Sequence, residues 1–260
     1  MLNAEASVGD QLRGWRQLRR MSQLDLSLEA EISTRHLSFI ESGRSRPSRE
    51  MVLRLAERLD VPLRARNALL LAAGHAPAYA ERTLDDPALA PAKRAIDSIL
   101  RGHEPFPALA VDRHWTLVAA NAAIPPLLAG VAQALLEPPV NVLRLSLHPQ
   151  GLAPRIVNLG EWRLHLLERL EEQCIASGDP VLAALRDELL TYPAPPDDKA
   201  RRDFGGLIVP LILDAGGQEL SFLSTTTMFG TPVEVTLSEL AIESFFPADE
   251  QTAAALHGEG

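Results

Sequence analysis

The chain has 260 residues, of which 46% are hydrophobic, and this suits a small domain followed by a larger one. Its apolar runs are too short to span a bilayer, it opens without an apolar signal segment, and its single cysteine, Cys174, excludes an internal disulfide. The net charge of −9 is uneven, because residues 1–76 hold 12 Arg and nine acidic residues whereas the rest is strongly acidic. We therefore expect a cytoplasmic protein whose first part suits a nucleic-acid partner.

Two short helical patterns separated by a tight turn occupy the first part of the chain. Ser22 and Ser33 each precede one of them and predict N-caps. Leu24, Leu26, Leu28 and Ala30 are available for burial in the first helix, and Leu37 and Ile40 share the inner face of the second. Further helices are predicted at residues 8–20, 49–59 and 63–73. A short helix that presents polar and basic side chains after a three-residue turn is typical of the helix-turn-helix that enters a DNA major groove.

These residues closely resemble the phage-repressor-like (XRE) helix-turn-helix family. The resemblance is carried by Ser22-Gln23, the Ile32-Ser33 turn, Leu37, residues 40–44, Pro47-Ser48 and the helix that contains Leu55-Ala56. The chain departs from the family at Glu31, where glycine is usual in a left-handed turn, and a non-glycine residue there costs about 1 kcal/mol. The resemblance implies an all-α five-helix domain at residues 1–76 that binds double-stranded operator DNA.

Nine residues are candidates for contact with DNA. The resemblance implies that Gln23 lies near the phosphate backbone and that Thr34 and Arg35 reach base edges. The other candidates are His36, Ser38 and Phe39 on the recognition helix, and Arg44, Arg46 and Ser48 after it, where phosphate contacts are expected. The alternative is that Arg35 and His36 form only a solvated face. Because one recognition helix buries little surface, we expect a homodimer on an inverted repeat.

After residue 76 the pattern changes to a proline-punctuated linker, residues 77–102, with a bridging helix at 91–101. Two strands, a helical middle and three returning antiparallel strands then match the order of a PAS-type sensor domain at residues 103–250. The strands are predicted at residues 107–111, 115–119, 207–213, 219–227 and 233–245, and the helices from Asn121 towards Leu128 and at 159–176 and 181–190. Residues 251–260 are expected to be a flexible tail. The fold class is α+β.

Three strings in this second part resemble the MmyB-like ligand-binding domain, a PAS-like domain usually fused to this type of helix-turn-helix. They are NVLRLSLHPQGLAPRIVN (residues 141–158), EWR (161–163) and STTTMFGTPVEVTLSELAIESFFPAD (224–249). The resemblance implies a bacterial one-component transcription regulator, in which one domain senses a small molecule and the other binds DNA.

The predicted sheet faces carry large apolar residues, among them Trp115, Phe222 and Phe229. A cavity lined in this way suits an apolar or amphipathic ligand, such as a fatty-acyl or aromatic molecule. Four residues are candidate polar anchors for a ligand carboxylate: Asn121, Arg144, His148 and Arg155. The alternative is that the aromatic residues are ordinary core and that the polar ones make structural bonds.

Histidine spacings and glycine-rich strings give no pattern typical of a metal, cofactor or catalytic site, so we predict no enzyme, no metal and no cofactor. Two alternatives stay open. An enzyme that acts on a small molecule in the C-terminal pocket predicts titratable groups that converge there. An oligomerisation scaffold without a ligand predicts a solid core and no cavity.

Overall fold

The computed structural model describes residues 6–193, 208–229 and 234–258. The chain forms two units, and each of them draws on several segments of the sequence. Unit 1 comprises Met1–Arg82, Glu172–Pro180 and Pro232–Ser238, and unit 2 comprises Thr83–Glu171, Val181–Thr231 and Glu239–Gly260. No helix in the described residues combines the length and the apolar character that a membrane crossing requires.

Five helices follow one another at the start of unit 1, as the sequence predicts. They are α1 (Val8–Leu18), α2 (Gln23–Glu29), α3 (Thr34–Glu41), α4 (Arg49–Arg58) and α5 (Leu63–Ala72). The first four begin where a serine side chain accepts a backbone N–H group of the first turn: Ser7, Ser22, Ser33 and Ser48. At Ser22 the capping is reciprocal, because the Asp25 carboxylate accepts the Ser22 backbone N–H.

One apolar core joins these helices and takes residues from each of them. Leu26 of α2 and Ala30, which caps the end of that helix, are fully buried at i, i+4 spacing. Leu24 and Leu28 are 57% and 68% exposed, so the expectation that they are available for burial is wrong. The helical period explains the difference, because residues two positions away from Leu26 point away from the face that Leu26 buries.

The turn between α2 and α3 has the left-handed geometry that the family resemblance implies. Glu31 lies there with a φ of 55°. Its backbone N–H donates to the Leu28 carbonyl at 3.2 Å, and the Ile32 N–H donates to the Ser27 carbonyl at 2.9 Å. These hydrogen bonds close α2 and offset the cost of a non-glycine residue at this position.

An antiparallel sheet of five strands forms the centre of unit 2, with strand order β2-β1-β5-β4-β3. The strands are β1 (Ala108–Val111), β2 (Leu117–Ala120), β3 (Leu211–Asp214), β4 (Glu219–Met228) and β5 (Ala241–Pro247). In the central strand β5, Glu243 is paired with Leu109 of β1 and with Thr226 of β4. The helical N-terminal part and this sheet confirm the α+β fold class and the PAS-like architecture.

The described residues after α5 contain eight further α-helices, several of them only one turn long. They are α6 (Ala90–Gly102), α7 (Ile124–Leu127), α8 (Gln133–Leu136), α9 (Val142–Leu147), α10 (Leu159–Ser177), α11 (Pro180–Leu190), α12 (Val235–Ser238) and α13 (Glu250–His257). Helices α6, α10 and α11 lie where the sequence predicts helices. The helix predicted from Asn121 is shorter than expected and consists of α7.

The strand predicted at residues 233–245 is partly wrong, because α12 precedes β5. The Glu234 carboxylate accepts the Leu237 backbone N–H at 2.8 Å and also the Arg82 N–H at 2.8 Å. A side chain that caps a local turn in this way competes with strand pairing, so the strand begins only at Ala241. Leu207 and Val233, where two of the predicted strands start, lie outside the described residues.

Two further expectations about local structure are wrong. Trp115 does not start β2 but lies in the preceding turn with a φ of 64°, and its N–H donates to the Asp112 carbonyl at 3.0 Å. The described part of the expected flexible tail forms α13. Asp249 caps that helix by accepting the Thr252 N–H at 2.6 Å, and the buried Thr252 hydroxyl accepts the Ser221 N–H of β4 at 3.0 Å.

Candidate DNA-binding surface and ligand cavity

Helix α3 turns one face to the core of unit 1 and leaves the other accessible. Leu37 and Ile40 are fully buried, whereas Arg35 is exposed. The other recognition residues named from the sequence are half-buried: Thr34, His36, Ser38 and Phe39. Arg44, Arg46 and Ser48, which follow the helix, are exposed. The accessible face of α3 and the segment after it therefore form one polar and basic surface.

Phe39 connects the recognition helix to the basic segment that follows it. The Arg35 guanidinium carbon lies 5.3 Å from the centre of the Phe39 ring, and that of Arg44 lies 6.0 Å from it. The Phe39 carbonyl also accepts the N–H groups of Arg44 and Ser45, at 2.8 and 3.1 Å. A cation over an aromatic ring at this distance is attracted to it, so the ring restrains both guanidinium groups.

Three other DNA-contact candidates make hydrogen bonds within unit 1. The Gln23 amide donates to a Glu41 carboxylate oxygen at 2.8 Å. The hydroxyl oxygens of Thr34 and Ser27 are 3.0 Å apart. The Ser48 hydroxyl accepts the Met51 N–H at 3.2 Å and so caps α4. Their side chains are thus held in defined positions by the protein itself.

A buried ion pair supports the end of α3 from inside. The Glu41 side chain is fully buried, and its two oxygens accept bonds from Arg16 Nε and Nη2 at 2.7 and 2.9 Å. Burial acts to raise the pKa of Glu41, but the hydrogen bonds from Arg16 and Gln23, together with the charges of Arg16 and Arg13, outweigh it and lower that pKa. The Arg16 side chain therefore points inward to this carboxylate.

Gly9 allows α1 to approach the end of α3 closely. A β-carbon at Gly9 would lie 2.5 Å from the Ile40 carbonyl oxygen and 2.8 Å from that of Glu41. The Arg13 side chain donates to the same Glu41 carbonyl at 2.6 Å. The base of the recognition helix is therefore tightly packed, with no space for an additional methyl group.

Unit 2 contains a cavity of about 100 Å³ between its sheet and its helices. Of the described residues that line it, all but Ser146, Arg169 and Glu243 are apolar. The apolar ones are Pro107, Leu109, Trp115, Ile124, Leu127, Leu128, Val142, Leu143, Leu145, Leu152, Trp162, Leu166, Leu211, Leu213, Phe222 and Phe245. Trp115 and Phe222 are thus placed at the cavity, as the sequence suggests, whereas Phe229 is not among its lining residues.

Four predicted polar anchors do not line this cavity: Asn121, Arg144, His148 and Arg155. Each has a structural partner instead. The buried Asn121 amide donates to the carbonyls of Leu100 and Phe106. Arg155 donates to the carbonyls of Leu127, Ala129 and Asp214. The structural alternative that the sequence left open accounts for these two side chains.

Arg144 and His148 belong to a polar group around Glu188. Arg144 donates to both Glu188 oxygens, at 2.8 and 2.7 Å, and the Tyr192 hydroxyl donates to one of them at 2.6 Å. The hydrogen bond from Arg144 lowers the pKa of Glu188, and burial with the Glu188 bond raises the pKa of Tyr192 to about 12. The His148 ring packs edge-on against Tyr192, with 5.1 Å between the ring centres.

The charged residues of the cavity wall, Arg169 and Glu243, were missed by sequence reasoning. Arg169 Nη2 and Nη1 donate to the two Glu243 oxygens at 2.6 and 3.0 Å. The Trp115 ring lies under the guanidinium at 4.6 Å. A signal for Arg169 was present, because Trp162, Leu166 and Arg169 follow at i, i+4 and i+7 and so share one helix face.

Comparison with known families finds two matches in this chain. Residues 92–258, more than half of the chain, match the MmyB-like transcription regulator ligand binding domain. Residues 12–65, which include α2 and α3, match a helix-turn-helix family. No curated protein matches the chain. The described residues contain no cluster of three or more His, Cys, Asp or Glu side chains that is arranged to hold a metal ion.

Proposed function

Because the chain belongs to the MmyB-like transcription regulators, we propose that α3 reads a double-stranded operator and that a small molecule in the unit 2 cavity modulates this binding. The two families make the protein a DNA-binding transcription regulator with a ligand-binding domain. The observation that carries the finer proposal is the accessible basic face of α3, which the buried Arg16–Glu41 pair supports from behind.

In this proposal the surface residues divide into two roles. Arg35 and Thr34 contact base edges, with His36, Ser38 and Phe39 beside them. An Arg in the major groove favours guanine, through its O6 and N7 acceptors. The phosphate contacts come from Gln23, Arg44, Arg46 and Ser48, and they fix the register of the helix without reading sequence.

We propose that the protein is cytoplasmic and binds its operator as a homodimer. The dimer is expected because operators of helix-turn-helix regulators usually present two half-sites one helical turn apart. A single α3 helix contacts only a few base pairs. Two copies double the number of base contacts and bring the affinity into the range of specific regulators, about 10⁻⁸–10⁻¹¹ M.

For the cavity we propose an apolar or amphipathic ligand. The apolar walls support a binding site over a catalytic one, because the two charged lining residues are hydrogen-bonded to each other. Ligand pockets typically have about 300–1,000 Å³, whereas this cavity has about 100 Å³. Of the two ligand classes that the sequence suggests, its size therefore favours an aromatic or short acyl group over a long fatty-acyl chain.

A ligand changes DNA binding only if its affinity differs between two states of the protein. We propose that residues 77–102, which join the two predicted domains along the chain, carry the change. Native mass spectrometry of the purified protein identifies what co-purifies with it. Operator affinity is then measured with and without the extracted molecule, and equal affinities would remove this part of the proposal.

The roles of the surface arginines are tested with two variants and an operator selected from genomic fragments. We expect Arg35→Ala to relax the preference at one base pair, a loss of about 1–3 kcal/mol of discrimination. We expect Arg44→Ala to lower the affinity for all DNA sequences alike, and to reduce the slope of log K against log salt by about one. Competition binding at two salt concentrations measures both effects, and identical behaviour of the two variants contradicts the assignment.

A further inference from the structure

In the cavity wall the Arg169 guanidinium and the Glu243 carboxylate neutralise each other, and this restricts the charge that a bound ligand can carry. We infer, on the basis of the ligand-binding function proposed above, that the ligand is a small uncharged molecule with an oxygen that accepts a hydrogen bond. Aromatic alcohols, ketones and short esters belong to this class, and carboxylates do not.

The Arg169–Glu243 pair is closed by bonds on several sides. Both Nη atoms of Arg169 bind Glu243, and Nη2 also donates to the Thr226 hydroxyl at 2.6 Å. That hydroxyl in turn donates to Glu243 at 3.0 Å. The Trp115 ring covers the guanidinium at 4.6 Å. The arginine charge is therefore already matched by a carboxylate, by a hydroxyl and by an aromatic face.

An anionic ligand would disturb this balance in either of two ways. If it left the pair intact, it would add an unmatched negative charge to a mostly apolar cavity. If it took Arg169 for itself, it would leave Glu243, which is 4% exposed, without its partner. A cationic ligand that took Glu243 would leave Arg169 unmatched in the same manner. A neutral ligand neither adds an unmatched charge to the cavity nor breaks the ion pair.

Among the described lining residues, Ser146 provides an uncharged hydroxyl for such a ligand. The Ser146 hydroxyl lines the cavity and accepts the Trp162 indole N–H at 3.0 Å. Because the Ser146 oxygen accepts that bond through a lone pair, the hydroxyl keeps its own proton, which it can donate to a ligand oxygen. The cavity of about 100 Å³ is somewhat smaller than an engineered cavity of about 150 Å³ that binds benzene in another protein. The fit is therefore to one small ring or a short chain.

Benzyl alcohol and benzoate are the matched probes, because they share the ring and differ in charge. Titration calorimetry of the full-length protein at pH 7.5 measures both affinities. We expect benzyl alcohol to bind at least about tenfold more tightly than benzoate, since an unmatched buried charge costs several times RT. Benzoate binding equal to or tighter than that of benzyl alcohol would overturn the inference and leave the cavity as a ligand site.

The variant Glu243→Gln should shift the preference towards benzoate, because it leaves Arg169 with an unmatched positive charge. We expect benzoate affinity to rise by about tenfold or more and benzyl alcohol affinity to change less than about twofold. The control is Glu239→Gln, which removes a carboxylate four residues earlier in the chain that pairs with Arg113 and does not line the cavity. In this variant we expect the ratio of benzyl alcohol affinity to benzoate affinity to stay as in the wild type. An unchanged ratio in Glu243→Gln contradicts the inference.

If Glu243→Gln does not fold, the wild-type ratio decides alone. If neither probe binds the wild-type protein, the proposed ligand-binding role of the cavity fails, and the charge inference fails with it. A reversed or equal ratio, in contrast, overturns only the charge inference.

Discussion

Both units bury an arginine–glutamate pair with two-point hydrogen bonding, but the surroundings of the two pairs differ. Arg16–Glu41 lies in unit 1 where α1 packs on the end of α3 without space for a methyl group at Gly9. Arg169–Glu243 lies in unit 2 beside a cavity of about 100 Å³. The same type of ion pair therefore supports the end of α3 in one unit and lines a cavity in the other.

The largest expected effect comes from breaking the pair in unit 1. Arg16→Met leaves the fully buried Glu41 carboxylate without its main partner, and we expect a loss of about 3–5 kcal/mol in the free energy of unfolding. Arg169→Met should cost less, because this pair is less deeply buried: its side chains are 21% and 5% exposed, against 11% and 0% for Arg16 and Glu41. Urea denaturation of both variants measures the two losses in the free energy of unfolding. Equal losses would contradict the expected difference between the two pairs.

Arg64→Ala is the control for this experiment. Arg64 pairs with Glu81, whose side chain is 50% exposed. Exposed pairs contribute about 0–1 kcal/mol, so this variant should stay close to the wild type.

The second prediction tests the tight packing behind the recognition helix. Gly9→Ala places a β-carbon 2.5 Å from the Ile40 carbonyl oxygen, so α1 and α3 have to move apart. We expect a loss of about 1–3 kcal/mol in the free energy of unfolding. Gly102→Ala is the matched control, because no atom lies within 4 Å of its added β-carbon and it belongs to a helix. A Gly9→Ala variant as stable as this control would contradict the close packing.

The smallest effect is expected on the DNA-binding surface. Phe39→Leu removes the ring that restrains Arg35 and Arg44, and cation–π contacts at exposed sites contribute about 0.5–1 kcal/mol each. We expect operator affinity to fall about two- to fivefold, measured by fluorescence anisotropy. Phe39→Tyr keeps the ring and should bind like the wild type; a similar loss in both variants would mean that the ring acts through direct contact with DNA.

The elements of unit 1 could be predicted because their signals are local. Ser22, Ser33 and Ser48 each cap a helix within three residues of their own position. The family resemblance correctly implied the left-handed turn at Glu31. Where a local side chain overrides the pattern, as Glu234 does before α12, the strand prediction is wrong.

The cavity wall could be predicted only in part, because its charges pair over a long distance in the chain. Arg169 and Glu243 are 74 residues apart. Arg169 shares a helix face with Trp162 and Leu166, but that spacing does not indicate its partner. The sequence instead suggested Arg144 and Arg155, which are used for structural bonds to Glu188 and to backbone carbonyls. Trp115 and Phe222, which the sequence suggested for the cavity, both border it. Phe222 does so from β4, whereas Trp115 does so from the turn before β2, and their contact with a ligand stays a prediction.

The central claim is that α3 presents Arg35 and Thr34 to base edges. It is tested most directly by the ratio of affinities for a selected genomic fragment and for random duplex of the same length, at fixed salt. We predict a ratio of about 10³ or more in favour of the selected fragment. A ratio near one for every selected fragment, with and without the co-purified molecule, would contradict the account.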